Sequence, residues 1–270
     1  MRVAAIHVYP LKSCRAHSLQ EAAVEPWGLA GDRRWMIVDD EGRFVTQREE
    51  PLLATIEVEV KAEGLELRRG DRLLSVATPG PEAPRRKVTV WRSTVSVPLA
   101  AVSLEELIGR DLRLAYMDDP TIRAVNPEYG RPEDRVSFAD GYPLLLVTMA
   151  SLADLNARMP APLPMDRFRP NLVIDGAPAW AEDLWRRIRI GDTVLRIVKP
   201  CARCVITTTD QQTGARGGAG GEPLRTLAKF RRRGTDVFFA QNLLPDAVGT
   251  IRVGDAVEVL DQAVSANWVA

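Results

Sequence analysis

Apolar and polar residues alternate along most of the first hundred positions, which is the period of half-buried strands. The clearest run places Ile56, Val58 and Val60 on one face of a strand. Another run predicts a hairpin, with a strand at Trp35–Val38, a turn rich in acidic residues and glycine, and a return strand at Arg43–Thr46. Many short strands joined by glycine-containing turns favour a barrel or a sandwich.

The pattern changes near residues 98–103, after which helical spacing appears among the strands. We predict helices over 103–110, between a serine cap and Gly109, and over 149–159, where apolar residues recur three or four apart. A third helix is predicted over 221–234, and its basic end, residues 231–233, is interpreted as a solvated last turn. The chain is therefore predicted to be mainly β with some α.

Two later segments share a strand, Gly-Asp and strand pattern. They are RRIRIGDTVLRIV, residues 186–198, and VGTIRVGDAVEVL, residues 248–260. A tight turn at each Gly-Asp would place two strands side by side. We therefore expect a hairpin from each segment, although the likeness is too short to define an internal repeat.

Composition and charge describe an ordinary globular chain. The 270 residues are 46 % hydrophobic and 27 % charged, which is enough apolar material for a full core. The 36 basic residues balance the 36 acidic ones, which argues against a dedicated nucleic-acid binder. The sequence shows no signal peptide and no apolar run of about 18 residues, so we expect a cytoplasmic protein with no membrane span.

Two of the three cysteines form a C-x-x-C pair in KPCARCVITTTDQQTG, residues 199–214. Structural zinc needs four ligands, and only Cys14, His7 and His17 could complete the set. A thioredoxin-like dithiol would precede a helix, whereas the β-branched VITTTD predicts that Cys204 opens a strand. A third interpretation is that both cysteines are buried and pack as small hydrophobic residues. A fourth is that one of them is a reactive thiolate, because Arg203 and Lys199 lie nearby in sequence.

Other cations lie where the backbone is restricted. Lys12 and Ser13 follow a strand in PLKSC, and a lysine, a hydroxyl and backbone amides make a workable phosphate site, although this fragment alone is more typical of a surface turn. GDRRW places Arg33 before an apolar strand. In FRPN, the proline biases Arg169 toward an extended conformation. Together these residues are compatible with an anionic ligand.

Taken in order along the chain, the motifs resemble one known family. They are PLKSC, GLAGDRRWMIVDDEGRFVTQRE, FADGYPLLLVTMASLADLN, FRPNLVI, CARCVITTTDQQTG, EPLRTLAKFR and GTIRVGDAVEVL. This set resembles MOSC-domain proteins with an N-terminal MOSC β-barrel module, such as the mitochondrial amidoxime-reducing component and its bacterial relatives. The resemblance implies two packed β-barrel modules, with the N-terminal one over residues 1–100 and the MOSC domain over residues 101–265.

The resemblance also implies a molybdenum cofactor, a molybdopterin that carries a phosphate. Cys204 matches the molybdenum ligand, and Cys201 has no assigned role. The positions that match cofactor contacts are Lys12, Ser13, Arg33, Arg169, Asn171, Ala202, Arg203 and, where some relatives have tyrosine, Asn242. Asp140 matches a loop that lines the pocket and is expected to relay protons, although an aspartate there is also typical of a turn cap.

The implied reaction is the reduction of N-hydroxylated compounds such as amidoximes and hydroxylamines, in which two electrons and two protons release the oxygen as water. The C-x4-C-x2-C spacing of a plant-type [2Fe–2S] cluster is absent. We therefore expect electrons to come from a separate ferredoxin-like or flavin-dependent reductase. The resemblance also implies a monomer. The alternative is a non-catalytic carrier of cofactor or sulfur, because a fold does not dictate turnover.

Overall fold

A computed structural model describes residues 1–217 and 220–265. The strands within these residues are β1 (Arg2–Val8), β2 (His17–Leu19), β3 (Glu21–Glu25), β4 (Gly28–Leu29), β5 (Trp35–Val38), β6 (Glu57–Lys61), β7 (Gly64–Arg69), β8 (Arg72–Ala77), β9 (Arg85–Val90), β10 (Ser93–Ser103), β11 (Arg113–Tyr116), β12 (Leu144–Thr148), β13 (Leu172–Asp175), β14 (Trp185–Ile190), β15 (Thr193–Ala202), β16 (Arg232–Arg233), β17 (Asp236–Ala247), β18 (Gly249–Arg252) and β19 (Val257–Gln262). The helices are α1 (Glu105–Ile108), α2 (Met149–Ala157) and α3 (Leu224–Leu227). The predicted fold class, mainly β with some α, is confirmed.

The largest sheet joins both ends of the chain. Its order is β19-β14-β15-β17-β12-β13-β1-β2, with β16 beside β17, and only the β12–β13 pair is parallel. An isolated bridge from Arg2 to Ala256 ties β1 to the segment before β19, so the sheet bends back toward its far edge. A cluster of buried aliphatic side chains fills the inside of this bend. Within the described residues β19 and β2 do not pair, and closure into a barrel stays a prediction.

Three smaller sheets surround this core. Their orders are β5-β11-β10-β9, β18-β3-β4 and β6-β7-β8. The alternation predicted for Ile56, Val58 and Val60 is confirmed for the first two, which are buried, whereas Val60 at the end of β6 is exposed. Leu65 and Leu67 of the paired strand β7 are buried. Strand β11 pairs with β5 and β10, and β1 pairs with β13, so strands from both sides of residue 100 share sheets. The division at residue 100 stays a prediction.

The two earlier helix predictions are confirmed. The Ser103 hydroxyl accepts a hydrogen bond from Glu105 N at 3.1 Å, and Gly109 ends α1 in the left-handed conformation with φ 73°. Helix α2 begins after Thr148, whose hydroxyl accepts from Ser151 N at 3.2 Å. No described helix has both the length and the apolar character needed to cross a membrane.

The predicted helix over 221–234 is wrong beyond its first turn. Helix α3 covers four residues, and the chain then turns so that Arg231 is buried, with 3 % of its surface exposed. Its guanidinium donates two hydrogen bonds, of 2.5 and 2.9 Å, to the carboxylate of Asp183. This bidentate pair anchors the segment in the interior, so Arg231 is not part of a solvated last turn.

Two of the predicted hairpins also need correction. Strands β14 and β15 do form one, but β18 pairs with β3 and β19 pairs with β14, so the second Gly-Asp turn directs its strands into two sheets. The return strand predicted at Arg43–Thr46 forms only isolated bridges. Its backbone N–H groups bond to two different strands, because Val45 N–H donates to the carbonyl of Ile37 in β5 and Phe44 N–H donates to the carbonyl of Thr89 in β9.

Candidate functional site

One cavity of about 390 Å³ collects every predicted site residue. Its lining includes Lys12, Ser13, Arg33, Asp140, Arg169, Asn171, Ala202, Arg203, Cys204 and Asn242. Most of these residues come from loops in both halves of the chain, whereas Ala202 ends β15 and Asn242 lies within β17. The structure therefore brings together side chains up to 230 positions apart, and their individual roles stay predictions.

Cys204 follows β15 in an extended conformation, with φ −124° and ψ −178°. The strand predicted after it is wrong, because Val205–Thr208 forms a 3₁₀ turn. The hydroxyls of Thr207 and Thr208 donate to the carbonyls of Cys204 and Val205 at 2.9 and 2.8 Å. Such local bonds compete with sheet pairing, so the segment turns and leaves the half-buried Cys204 at the cavity wall.

The two cysteine sulfurs have different neighbours. Cys204 Sγ accepts a hydrogen bond from Arg48 Nη2 at 3.3 Å, whereas Cys201 Sγ accepts from Arg203 Nη1 at 2.9 Å and packs against an apolar cluster. All three cysteines are free thiols, and burial raises the pKa of Cys14 to about 12. Across residues 1–217 and 220–265 no three Cys, His, Asp or Glu side chains are grouped as metal ligands, so structural zinc has no support.

Arg33 and Arg169 both stack on the ring of one tyrosine. Their guanidinium carbons lie 4.3 and 4.2 Å from the centre of the Tyr9 ring, which is buried. Both arginines have left-handed backbones, with φ 48° and 54°. The extended conformation predicted for Arg169 is therefore wrong, because its N–H bonds to Asp166 O at 3.1 Å and closes a 3₁₀ turn.

Further contacts orient these two guanidinium groups. Arg33 Nη1 donates to Asp32 Oδ2 at 2.5 Å and to Asn171 Oδ1 at 3.2 Å. Asn171 is fully buried, and its amide also donates to His7 O at 3.1 Å while its oxygen accepts from Leu145 N at 3.1 Å. With its groups engaged in this way, Asn171 acts on the cavity mainly by holding Arg33.

Lys12 and Asp140 form a buried contact at the cavity floor. Lys12 Nζ donates to Asp140 Oδ1 at 2.5 Å and to Phe138 O at 2.7 Å. Burial lowers the pKa of Lys12 to about 8. Burial alone would raise the pKa of Asp140, but the charges of Lys12 and Arg48 hold it well below its usual range. Half of the Asp140 side chain is exposed to the cavity, so an anionic carboxylate faces any ligand.

The Asp140 loop is fixed by an arginine that the sequence did not single out. Arg123 is 4 % exposed and donates to the carbonyls of Ser137, Ala139 and Asp140 at 2.5–2.8 Å. Three carbonyls held by one planar group define the course of the loop. The backbone that carries Asp140 is thereby fixed, and the carboxylate lines the cavity while bonded to Lys12 and Arg48.

Two buried glutamines join three of the loops and were also missed. Gln47 and Gln211 exchange reciprocal amide hydrogen bonds of 3.0 Å. Gln47 Nε2 also donates to Ser13 O at 2.7 Å, and Gln211 Oε1 accepts from Arg169 Nη1 at 3.0 Å. Ser13 itself has a left-handed backbone, with φ 72°. The pair locks the segment of Lys12 and Ser13 against the segment that follows Cys204.

The remaining predicted residues lie around the thiol. Arg203 Nη2 donates to Phe168 O at 2.8 Å, while its Nε is buried without a protein partner. Ala202 ends β15, opposite Phe238. Asn242 lies on β17 opposite Leu145 and Lys199. These three residues form the wall that continues from Cys204.

Arg48 and Trp91 complete the cavity, and neither was predicted. Arg48 lies between Cys204 and Asp140, and its guanidinium carbon is 4.6 Å from the centre of the Trp91 ring. Half of Trp91 is exposed at the cavity mouth. The only available signal was the position of Arg48 within the matched motif GLAGDRRWMIVDDEGRFVTQRE.

Comparison with known proteins agrees with this geometry. Two family models match the chain, the MOSC N-terminal beta barrel domain over residues 1–103 and the MOSC domain over residues 133–258. Lys12, Ser13, Arg33 and Arg48 fall in the first match, and Asp140 to Asn242 fall in the second. The cavity therefore lies between the two matched regions.

Characterised relatives match nearly the full chain. The human mitochondrial amidoxime-reducing component 1 is 33 % identical over 283 residues, which cover 96 % of this chain and 83 % of the relative. Human mitochondrial amidoxime reducing component 2 is 30 % identical over 288 residues, covering 94 % and 82 %. Among solved structures, the YUAD protein from Bacillus subtilis aligns with a TM-score of 0.45 and 9 % identity, over 95 % of this chain and 93 % of that one.

Proposed function

The chain belongs to the MOSC-domain family, in the group with an N-terminal MOSC β-barrel domain, and on that premise we propose that it is a molybdenum-cofactor-dependent reductase of N-hydroxylated substrates. Electrons come from a separate protein. The observation that carries this proposal is the convergence of Lys12, Arg33, Arg169 and Arg203 with the partly exposed thiol of Cys204 on a single cavity, which the second partly exposed thiol, Cys201, also lines.

The donor set fits a phosphate-bearing cofactor whose metal takes a sulfur ligand. Guanidinium forks bind phosphate in a bidentate way, and a thiolate is a good ligand for transition metals. A cavity of about 390 Å³ lies in the size range of cofactor sites.

Each part of the cavity would then hold one part of the cofactor. Arg33 and Arg169, both stacked on Tyr9, would bind the phosphate, and Lys12 would add a point charge beside them. Cys204 would ligate the metal, and Arg203 and Ala202 would line the pterin. When bound, the cofactor supplies the two-electron chemistry, while the protein orients it and the substrate.

The proposed reaction needs a source of protons, and Lys12, paired with Asp140, is the cavity residue proposed for that role. Reduction of an N–OH group to N–H and water consumes two protons with its two electrons. Lys12, with a pKa of about 8, is protonated at neutral pH and donates to Asp140 Oδ1. Asp140 is anionic, so it would orient the substrate by accepting a hydrogen bond from its N–H or O–H. Lys12 is the member of the pair that carries a proton at neutral pH, and it would be the proton source, with Asp140 holding the substrate beside it.

An external electron donor follows from the cysteine count. The 270 residues hold three cysteines, and a [2Fe–2S] cluster of the plant type needs four. Electrons therefore enter from outside these residues. A ferredoxin-like or flavin-dependent reductase is the class of donor that we propose.

Turnover of a simple aryl amidoxime tests the proposal. Protein expressed in a host that makes the cofactor would be supplied with a chemically reduced dye, and formation of the amidine would be followed. We expect turnover in the wild type and none in Cys204→Ala, with Cys201→Ala as the matched control that keeps activity. A protein that holds molybdenum stoichiometrically but gives no amidine with any donor would be a carrier.

A further inference from the structure

The backbone around Arg48 is fixed by polar contacts from two directions. The Glu49 carboxylate accepts from the N–H and the hydroxyl of Thr46 at 2.9 and 2.8 Å, which closes a tight turn. Arg216 donates to the carbonyl of Arg48 at 2.9 Å and also to the carbonyl of Gln47. Arg48 therefore leaves the chain from a rigid turn, and its side chain starts from a defined position.

The guanidinium of Arg48 is held on three sides. One nitrogen, Nη2, lies 3.3 Å from Cys204 Sγ and 3.2 Å from Asp140 Oδ2. Its plane lies over the ring of Trp91, and 19 % of the side chain is exposed. A side chain with a carboxylate, a sulfur and an aromatic ring as partners loses little further entropy on ligand binding.

The other cations of the cavity point elsewhere. Lys12 bonds to Asp140 and Phe138, and Arg203 bonds to the second sulfur, that of Cys201. Arg33 and Arg169 stack on Tyr9, away from the thiol. In the portion of the chain that the structure covers, Arg48 is the one side chain that donates a hydrogen bond to the sulfur of Cys204.

We infer that Arg48 is a positioning residue through which the N-terminal region sets the electronic state of the Cys204 thiolate and the orientation of Asp140. This inference rests on the proposed function. Proteins set the reduction potential of a metal centre partly through hydrogen bonds to its sulfur ligand and through nearby charges. A cationic donor withdraws electron density from the sulfur and stabilises the reduced state, so it raises the reduction potential of the bound centre.

The inference assigns residues 1–103 a second function, beside the proposed phosphate contacts of Lys12 and Arg33. Arg48 and its support Trp91 both belong to the region matched by the N-terminal domain model, whereas Cys204 and Asp140 belong to the MOSC match. The metal-facing side of the cavity is therefore complete only when both regions are present.

Three variants of the cofactor-loaded protein test this inference. Arg48→Gln removes the charge, Arg48→Lys keeps a charge without the planar fork, and Arg34→Gln is the matched control. Arg34 also stacks on a tryptophan, with 4.7 Å to the Trp27 ring, and pairs with a carboxylate, but it does not line the cavity. The readouts are molybdenum per chain, the midpoint potential from a redox titration followed by electron paramagnetic resonance, and kcat and KM for an aryl amidoxime.

We expect Arg48→Gln to keep its molybdenum, because the cations that would bind the phosphate are unchanged. Its midpoint potential should become more negative, and its kcat should fall about ten- to a hundred-fold, the effect of losing one charged hydrogen bond, with a smaller change in KM. Arg48→Lys should recover most of the potential but only part of kcat. Arg34→Gln should match the wild type in all three readouts.

Two results would overturn the inference while the proposed function stood. In one, Arg48→Gln keeps the wild-type potential and kcat with full molybdenum content. In the other, it loses molybdenum and thermal stability together, which would make Arg48 a structural residue only. A wild type without molybdenum would instead refute the proposed function itself, so the two failures are distinguishable.

Discussion

Replacing Tyr9 by leucine should weaken the fold and the anion site together. The ring is buried between Arg33 and Arg169, and its hydroxyl donates to Pro170 O at 3.1 Å. Tyr9→Leu removes both guanidinium contacts and the hydroxyl bond but keeps an apolar side chain in place. Tyr9→Phe removes the hydroxyl alone and is the matched control.

The magnitude follows from these contacts. A cation–π contact away from water contributes about 2 kcal/mol, and two of them stack on this ring. A buried neutral hydrogen bond contributes about 1 kcal/mol. We therefore expect Tyr9→Phe to lower the free energy of unfolding by about 1 kcal/mol and Tyr9→Leu by about 3–5 kcal/mol.

Urea unfolding of the cofactor-free proteins, followed by circular dichroism at 25 °C, measures this difference. Molybdenum content of the same variants, prepared from a host that makes the cofactor, measures the effect on the site. Tyr9→Leu should retain much less molybdenum than Tyr9→Phe, because both guanidinium groups lose the aromatic surface on which they stack. Equal stability and equal molybdenum content in the two variants would refute the stacking argument.

Two further predictions concern buried charges. Because the pKa of Lys12 is lowered to about 8, its charge is present below that pH and lost above it, so the affinity of the cofactor-free protein for inorganic phosphate should fall as the pH rises through about 8. Calorimetric titration should show the fall in the wild type and not in Lys12→Arg, and the same fall in both would contradict it. Asp183→Asn should lower the free energy of unfolding by about 3–5 kcal/mol, because it removes the charged carboxylate of the buried bidentate pair with Arg231. Asp175→Asn, which breaks an exposed pair with Arg2, should cost about 0–1 kcal/mol, and similar values for both variants in urea unfolding would refute the distinction.

Local pattern predicted the strands whose partners are neighbours in sequence. Alternation and glycine turns located β6, β7 and β8, which pair in chain order. The same reasoning failed for β18 and β19, because their partners, β3 and β14, are chosen by the tertiary fold. Arg231 was mispredicted for the same reason. It belongs to a run of three arginines that resembles a solvated helix end, but its carboxylate partner, Asp183, lies 48 positions away in sequence.

Site residues that belong to a recognisable motif were predicted from the sequence, whereas residues that join the site only through tertiary contacts were missed. The ten predicted residues do line one cavity. Gln47 and Gln211 are polar residues in unremarkable loops, and their reciprocal bond joins positions 164 apart. Arg48 meets Cys204 across 156 positions. No periodicity or spacing in the sequence marks such pairs, because they arise from how the two regions pack.

The most direct test of the account is the metal and pterin content of the purified protein. Wild type, Cys204→Ala and Cys201→Ala would be prepared from a host that makes the molybdenum cofactor and analysed for both components. The account predicts about one molybdenum and one pterin per chain in the wild type and in Cys201→Ala, with the metal lost or catalytically inactive in Cys204→Ala. Absence of molybdenum from all three proteins, or zinc in its place, would contradict it.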